Sequence, residues 1–145
     1  MIKVTSSPEE TKALGQKIGK KLSPGDVVAL LGELGSGKTC LVQGICQGLQ
    51  IDDFATSPSF VIINEYKGKY PVYHFDLYRL QKEEELINLG YEEYFYSKGV
   101  CLIEWAEKAK NLLPEKRIEI ELKIVAENQR EIKIKGISVV SGPQS

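Results

Sequence analysis

One segment restricts the fold of this chain more than any other, namely Gly32-Glu33-Leu34-Gly35-Ser36-Gly37-Lys38-Thr39. It matches the pattern G-x-x-x-x-G-K-(S/T), in which a glycine-rich loop joins a strand to a helix. The run from Val27 to Leu31 before the loop is short and apolar, which is typical of a strand buried on both faces of a parallel sheet. After the loop, residues Lys38 to about Leu49 carry apolar side chains at helical spacing. The segment therefore predicts a strand, loop and helix unit within an α/β fold.

The residue types of this loop are those that hold the phosphates of a nucleotide. Glycines allow backbone N–H groups and the helix N-terminus to point at phosphate oxygens. Lys38 then reaches the β- and γ-phosphates, and the Thr39 hydroxyl is a ligand of Mg²⁺. A chance match to the pattern has a probability of about one per cent at ordinary residue frequencies. We therefore expect a nucleotide to be bound by the consecutive residues Glu33, Leu34, Gly35, Ser36, Gly37, Lys38, Thr39 and Cys40.

A magnesium ion at such a loop usually needs a carboxylate at the end of a neighbouring buried strand. Glu104 follows the apolar run Val100 to Ile103, so we expect it at that position, as a ligand directly or through a water. The alternative is a solvated glutamate at a helix start. The segments N-K-x-D and D-x-x-G, which guanine-specific GTPases carry, do not occur in the sequence, and this favours ATP over GTP.

The rest of the chain predicts a single domain over residues 1–140 and a flexible tail over residues 141–145. A helix is expected from Pro8 to Leu22, with Ala13, Leu14 and Ile18 on its buried stripe. Further along, the patterns predict a hairpin of Phe60 to Tyr66 with Pro71 to Tyr78, a helix from Lys82 to Leu89, a buried strand from Gly99 to Ile103, a short helix before Pro114, and a half-solvated antiparallel strand from Arg117 that pairs with the segment of Ile132 and Ile134.

Composition excludes several classes of protein. The formal net charge is -1, and the chain has three arginines, Arg79, Arg117 and Arg130. We therefore do not expect the chain to bind nucleic acid directly, and any role with RNA would be indirect. The three cysteines form no C-x-x-C pair, and their apolar neighbours favour small core residues over reactive thiols: Cys40, Cys46 and Cys101. Because Met1 is followed by Ile-Lys-Val-Thr and no long apolar run occurs in the sequence, we expect neither a signal peptide nor a membrane span, and a cytoplasmic location.

Four segments together resemble one family, the bacterial ATPase TsaE (also called YjeE), which is needed to make threonylcarbamoyladenosine in tRNA. The segments are the glycine-rich loop, Thr56-Ser57-Pro58-Ser59-Phe60, His74-Phe75-Asp76-Leu77-Tyr78-Arg79-Leu80, and Ile103-Glu104-Trp105-Ala106. Glu33 and Ser59 depart from the family's usual Asp and Thr, but both keep the chemical group. The resemblance implies a P-loop NTPase with a mixed, largely parallel central sheet flanked by helices and a C-terminal antiparallel hairpin.

The same resemblance implies roles for residues outside the loop. Thr56 is implied to belong to a switch-like segment near the γ-phosphate and the metal, whereas the residues by themselves favour an ordinary turn between a helix and a strand. Asp76 is implied to belong to the hydrolytic site, where it orients water or holds a metal-bound one. Trp105 either stacks near the nucleotide or anchors the core, and the motif favours a position beside the site.

Alternation along a strand places His74, Asp76 and Tyr78 on one face, with Phe75 and Leu77 toward the core. The role of His74 stays open between a packed, hydrogen-bonded residue and a functional one. Arg79 is open in the same way, between a contact to phosphate or a partner and a surface ion pair.

The function that the resemblance implies is that of an ATPase using ATP/ADP and Mg²⁺ beside partners of the TsaD and TsaB types, with a TsaC type enzyme making the activated intermediate. The modified site is adenosine 37 of tRNAs that read codons beginning with adenine, and the ATPase is not itself the transferase. A second hypothesis is a small P-loop kinase with Asp76 as base, although three arginines leave little for a phosphate-binding lid. A third is a nucleotide-gated binding module with negligible turnover.

Overall fold

The computed structural model describes residues 1–32, 36–51 and 63–137. The strands of this part are β1 Ile2–Thr5, β2 Val27–Gly32, β3 Ile63–Lys67, β4 Pro71–Asp76, β5 Val100–Glu104, β6 Ile118–Ala126 and β7 Gln129–Lys135. The helices are α1 Pro8–Lys21, α2 Lys38–Gly48, α3 Glu83–Asn88 and α4 Tyr91–Phe95, with a 3-10 helix at Ala106–Ala109. None of these helices has the length and apolar character that crossing a membrane requires.

The strands form one sheet in the order β1-β7-β6-β2-β5-β4-β3. The four central strands, β6, β2, β5 and β4, pair in parallel. The β1–β7, β7–β6 and β4–β3 pairings are antiparallel. The sheet is mixed, as predicted, but parallel pairings make up only half of it, because antiparallel strands extend both ends. The antiparallel strand expected from Arg117 is β6, and it pairs antiparallel with β7 as predicted. Its other neighbour is β2, with which it pairs in parallel, and this pairing was not predicted.

Apolar side chains cover both faces of the central strands. On one face, Leu30 and Leu102 pack in a cluster with Leu41 and Ile45 of α2. On the other face, Phe75 and the neighbouring apolar residues of β2 and β5 pack against α3, α4 and the 3-10 helix. The unbroken apolar runs of β2 and β5 are therefore strands covered on both sides, which confirms the interpretation of those runs.

Helices α1 and α2 lie close enough for their backbones to touch. A Cβ atom built on Gly44 would lie 2.1 Å from the carbonyl oxygen of Lys12, and one on Gly15 would lie 2.5 Å from that of Leu41. The contact is made by four glycines, Gly15, Gly19, Gly44 and Gly48. Because the buried stripe of α1 runs through these glycines, Ala13, which was predicted to be buried, is exposed.

Other predicted elements agree in type and differ at their ends. The strand expected over Pro71 to Tyr78 ends at Asp76, because the backbone N–H of Tyr78 donates to Asp76 Oδ1 at 3.1 Å and turns the chain. The predicted helix from Lys82 to Leu89 is α3. The sequence patterns did not predict β1 or α4. Residues 60–62 of the predicted hairpin and the tail at 141–145 lie outside the described residues.

Candidate functional site

Three parallel strands end at one edge of the sheet, and α2 begins there. In the β2–β5 pairing Leu30 lies opposite Glu104, and in the β4–β5 pairing Asp76 lies opposite Glu104. The loop that leads to α2 starts at Gly32, at the end of β2. The structure therefore brings the start of the glycine-rich loop, Glu104 and Asp76 together at the carboxyl ends of neighbouring strands, as the sequence predicted for Glu104. This edge is where α/β proteins bind ligands.

Lys38 is a buried cation at this edge, with 6% of its surface exposed. Its Nζ donates to the carbonyl oxygen of Gly32 at 2.5 Å and lies 3.2 Å from the centroid of the Trp105 ring. Burial lowers the pKa of Lys38, while the carboxylates of Glu107, Glu104 and Asp76 act in the opposite direction. No carboxylate of the described residues forms an ion pair with it. The ammonium group can therefore still pair with an anion brought by a ligand.

Ser36 and Gly37 complete the described part of the loop. Ser36 is 1% exposed, and its hydroxyl has no hydrogen-bond partner among residues 1–32, 36–51 and 63–137. Gly37 precedes α2 with a φ of 98°, a left-handed conformation that glycine adopts without strain. Within the part of the chain that the structure describes, no side chain caps α2, and the first turn of this helix carries no acidic residue. Helix N–H groups, a buried hydroxyl and a buried ammonium are donors that fit a phosphate chain.

Glu104 forms a short contact with the chain's only histidine. Its Oε2 lies 2.6 Å from His74 Nε2, and the side chains of His74 and Glu104 are 6% and 12% exposed. The described residues hold no group of three or more His, Cys, Asp or Glu side chains that could bind a metal by itself. A magnesium ion at this edge would therefore take ligands from a hydroxyl, a carboxylate and the phosphates, which are the oxygen ligands that Mg²⁺ prefers.

Asp76 ends β4 and is half-buried. Its strand places Phe75 in the cluster on the opposite face, and Leu77 is fully buried there as well, which confirms the predicted alternation for these positions. The sequence predicted that Tyr78 shares a strand face with His74 and Asp76, and this prediction is wrong. Tyr78 lies beyond the end of the strand, and its ring packs against Trp105 with centroids 5.1 Å apart.

Trp105 contacts a lysine and a tyrosine, and the lysine is that of the loop, so the ring lies beside the site as the motif suggested. The residue follows Glu104 with a φ of 59°, a left-handed conformation that is rare for a bulky residue. Trp105 thus leaves β5 in this conformation, and its indole ring contacts both Lys38 and Tyr78. Lys108, which the sequence patterns did not single out, donates from Nζ to the carbonyl oxygen of Tyr78.

The first turn of α2 also borders a cavity. Thr39 is exposed and Cys40 is half-buried. Cys40 and Gly37 line a cavity of about 210 Å³ whose other walls include Thr11 and Arg130. No sequence pattern indicated this cavity, because its walls come from α1, α2 and the β6–β7 turn. Cys46 and Cys101 are buried, and burial raises the pKa of each thiol to about 12, so the prediction of core cysteines is confirmed for these two.

Four predicted site residues, Glu33, Leu34, Gly35 and Thr56, lie outside the described residues, and their roles stay predictions. Arg79 is exposed next to the end of β4.

Comparison with known proteins points to one family. The family model "Threonylcarbamoyl adenosine biosynthesis protein TsaE" matches residues 5–132. The tRNA threonylcarbamoyladenosine biosynthesis protein TsaE of Bacillus subtilis is 45% identical over 129 residues, which are 88% of this chain and 80% of that protein. The protein of the same name from Treponema pallidum is 40% identical and covers 90% of this chain and 97% of its own length. A crystal structure of Bacillus subtilis YdiB matches with a TM-score of 0.76 and 40% identity, over 91% of this chain and 82% of that one.

Proposed function

The chain belongs to the TsaE family, and from this membership we propose that it serves tRNA threonylcarbamoyladenosine biosynthesis by binding and slowly hydrolysing ATP. The observation that carries the proposal is Lys38, a buried ammonium group without an anionic partner among the described residues, at the start of α2. The parallel strands around this loop support a P-loop NTPase fold.

The donors at the start of α2 hold the phosphates. Backbone N–H groups of the first helical turn and the Ser36 hydroxyl donate to phosphate oxygens, and Lys38 neutralises the β- and γ-phosphates. The carbonyl of Gly32 and the ring of Trp105 hold the Lys38 ammonium at this edge. Because the site is already rich in donors, little rearrangement of the described residues is needed for an anion to bind.

Thr39 and Glu104 are the protein ligands of magnesium in this proposal. Thr39 presents its hydroxyl at the exposed first turn of α2, and Glu104 stands at the end of the neighbouring strand β5. Bound Mg²⁺ supplies the charge that neutralises the β- and γ-phosphate oxygens during hydrolysis.

Asp76 orients the attacking water. It lies opposite Glu104 across the β4–β5 pairing, and its Oδ1 is held by the backbone N–H of Tyr78. The fixed carboxylate accepts a hydrogen bond from water on the side of the site where the γ-phosphate is expected. Thr56 is expected to respond to loss of that phosphate.

The cavity beside Gly37 and Cys40 is the place we assign to the nucleoside half of ATP. It adjoins the first turn of α2, which holds the phosphates in this proposal, and its volume of about 210 Å³ is lined by polar as well as apolar groups. Trp105 contacts Lys38 and follows β5, which lies on the other side of β2 from β6 and β7. We therefore expect the indole ring to lie near the terminal phosphates and the base to contact the β6–β7 turn.

The chain acts as an accessory ATPase with TsaD and TsaB type partners, and tRNA contact is indirect. The arrangement of its arginines argues against the kinase alternative. Arg117 binds Glu119 and the carbonyl of Pro114, and Arg130 donates to carbonyls of its own turn. Few arginines are therefore left to neutralise a transferring phosphoryl group, which fits slow hydrolysis that a partner completes.

Phosphate release from Mg-ATP tests the proposal, measured with the chain alone and with TsaD and TsaB type proteins added. We expect slow release alone and a change in rate with the partners, and Lys38→Ala should abolish both. Rapid transfer of the γ-phosphate to an added hydroxyl compound would instead establish the kinase. Binding of ATP without any turnover or partner effect would establish a passive binding module.

A further inference from the structure

The contact between His74 and Glu104 is the part of the site to which neither the loop motif nor the proposed hydrolysis assigns a role. Nε2 of His74 lies 2.6 Å from Oε2 of Glu104, which is short even for a charge-assisted hydrogen bond. An ionised carboxylate can only accept, so the imidazole nitrogen donates. The contact therefore specifies both the tautomer of His74 and the oxygen of Glu104 that it occupies.

Two adjacent strands hold this pair in place. His74 lies on β4 opposite Leu102, and Glu104 is two residues further along β5, on the same face of the sheet. The Tyr66 ring lies beside the imidazole, with centroids 6.3 Å apart. Both side chains are nearly buried, so neither rotates freely in water. The strands and their packing thus fix the direction from which His74 approaches the carboxylate.

The hydrogen bond to His74 occupies one of the two oxygens of Glu104. Oε2 is taken by His74, and among the described residues no hydrogen bond reaches Oε1. The carboxylate of Glu104 acts to raise the pKa of Lys38 in the first turn of α2 and that of the buried Cys46 thiol, so it is within electrostatic reach of both. A buried carboxylate that accepts a hydrogen bond on one oxygen can bind a cation with the other.

We propose that His74 is a positioning residue for magnesium, holding Glu104 through Oε2 so that Oε1 faces the ion. This inference rests on the proposed nucleotide site and adds to it the residue that orients its carboxylate ligand. Partners of this kind typically change metal affinity by about 10- to 100-fold when they are removed. His74 itself does not touch the nucleotide or the ion.

Calorimetry of ATP binding tests the proposal, with the full chain in excess Mg²⁺ and again in EDTA. His74→Leu removes the donor, and His74→Gln keeps an amide N–H at the position of Nε2 and is the matched control. We expect His74→Leu to weaken binding in Mg²⁺ by about 10-fold or more and to leave binding in EDTA unchanged. His74→Gln should recover most of that loss, which a packing role would not predict.

A double-mutant cycle isolates the pair. If His74 acts through Glu104, His74→Leu should weaken binding in Mg²⁺ no further once Glu104→Gln is present. Additive losses, or a folded His74→Leu variant with wild-type affinity in Mg²⁺, would overturn the inference while leaving ATP binding intact. A wild-type chain that binds no ATP would overturn the proposed function, and this inference with it.

A spectroscopic readout keeps the test informative if His74→Leu does not fold. His74 is the only histidine, so its ring ¹⁵N signals need no assignment. In the wild-type chain we expect a protonated, hydrogen-bonded Nε2, and Glu104→Gln should shift that signal. An Nε2 signal that is the same in both proteins would show that the bond is not formed in solution and would overturn the inference.

Discussion

Nζ of Lys38 lies 3.2 Å from the centroid of the Trp105 ring, close enough for a strong cation–π interaction in a buried setting. The same nitrogen donates to the carbonyl of Gly32. Both partners are neutral, so the charge of Lys38 is stabilised without being cancelled. Among the described residues, a phosphate that enters the loop therefore competes with an aromatic ring and a carbonyl for direct contact with the ammonium group.

Lys38→Ala should weaken ATP binding by about 10- to 100-fold, because a charge-assisted hydrogen bond to phosphate contributes roughly 1.5–3 kcal/mol. Calorimetry gives the dissociation constant. Lys108→Ala is the control, since Lys108 also lies over an aromatic ring, that of Tyr78, but is exposed. Equal losses in the two variants would contradict the role of Lys38.

Thr39→Ala should remove the benefit of Mg²⁺ for ATP binding, because it deletes a hydroxyl ligand of the ion. Binding in EDTA should stay as in the wild-type chain, and Thr39→Ser, which keeps the hydroxyl, should stay within about threefold of wild type. Titration of ATP at several Mg²⁺ concentrations measures the effect. If Thr39→Ala keeps the full magnesium dependence, Thr39 is not a ligand.

Asp76→Ala should slow hydrolysis by about 100-fold or more while ATP still binds, since a positioned general base typically contributes 10²–10⁴ in rate. Single-turnover phosphate release separates chemistry from binding. Glu83→Ala is the control, because Glu83 is a carboxylate on α3, where it accepts from Asn111. Normal turnover by Asp76→Ala would show that another group orients the water.

Gly44→Ala should lower the free energy of unfolding by about 2 kcal/mol or more, because its methyl group would meet the backbone of α1. Thermal or urea denaturation followed by circular dichroism measures the loss. Lys17→Ala, on the exposed side of α1, should change stability by less than about 0.5 kcal/mol. A stabilised Gly44→Ala variant would mean that the two helices can separate without cost.

Cys40 should react with iodoacetamide at pH 8 well before Cys46 and Cys101. Cys46 and Cys101 are buried, and burial raises the pKa of each thiol to about 12, so both thiols stay protonated at pH 8. Cys40 instead lines the cavity that we assign to the nucleoside. Mass spectrometry of the alkylated peptides gives the order, and Cys40→Ala identifies the fast signal. Saturating ATP should slow labelling of Cys40, and unchanged labelling would place the nucleoside elsewhere.

Several elements were predictable from the sequence because their signals are local. The glycine-rich loop, the helix after it and the position of Glu104 at a strand end follow from motif and hydrophobic pattern. Ala13 and Tyr78 were placed wrongly for different reasons. The buried side of α1 follows its glycine contact with α2, and β4 ends in a turn at Asp76, two features that periodicity does not report.

The order of residues alone determined the loop, the cluster of donors at the start of α2 and the covered strands beside it, because each depends on neighbours a few positions away. Only the tertiary structure decided that His74 forms a hydrogen bond with Glu104, that the Trp105 ring contacts Lys38, and that β6 pairs in parallel with β2. These relationships join residues far apart in the chain. They depend on strand order, register and a left-handed turn at Trp105, which packing of the whole sheet selects and no local pattern encodes.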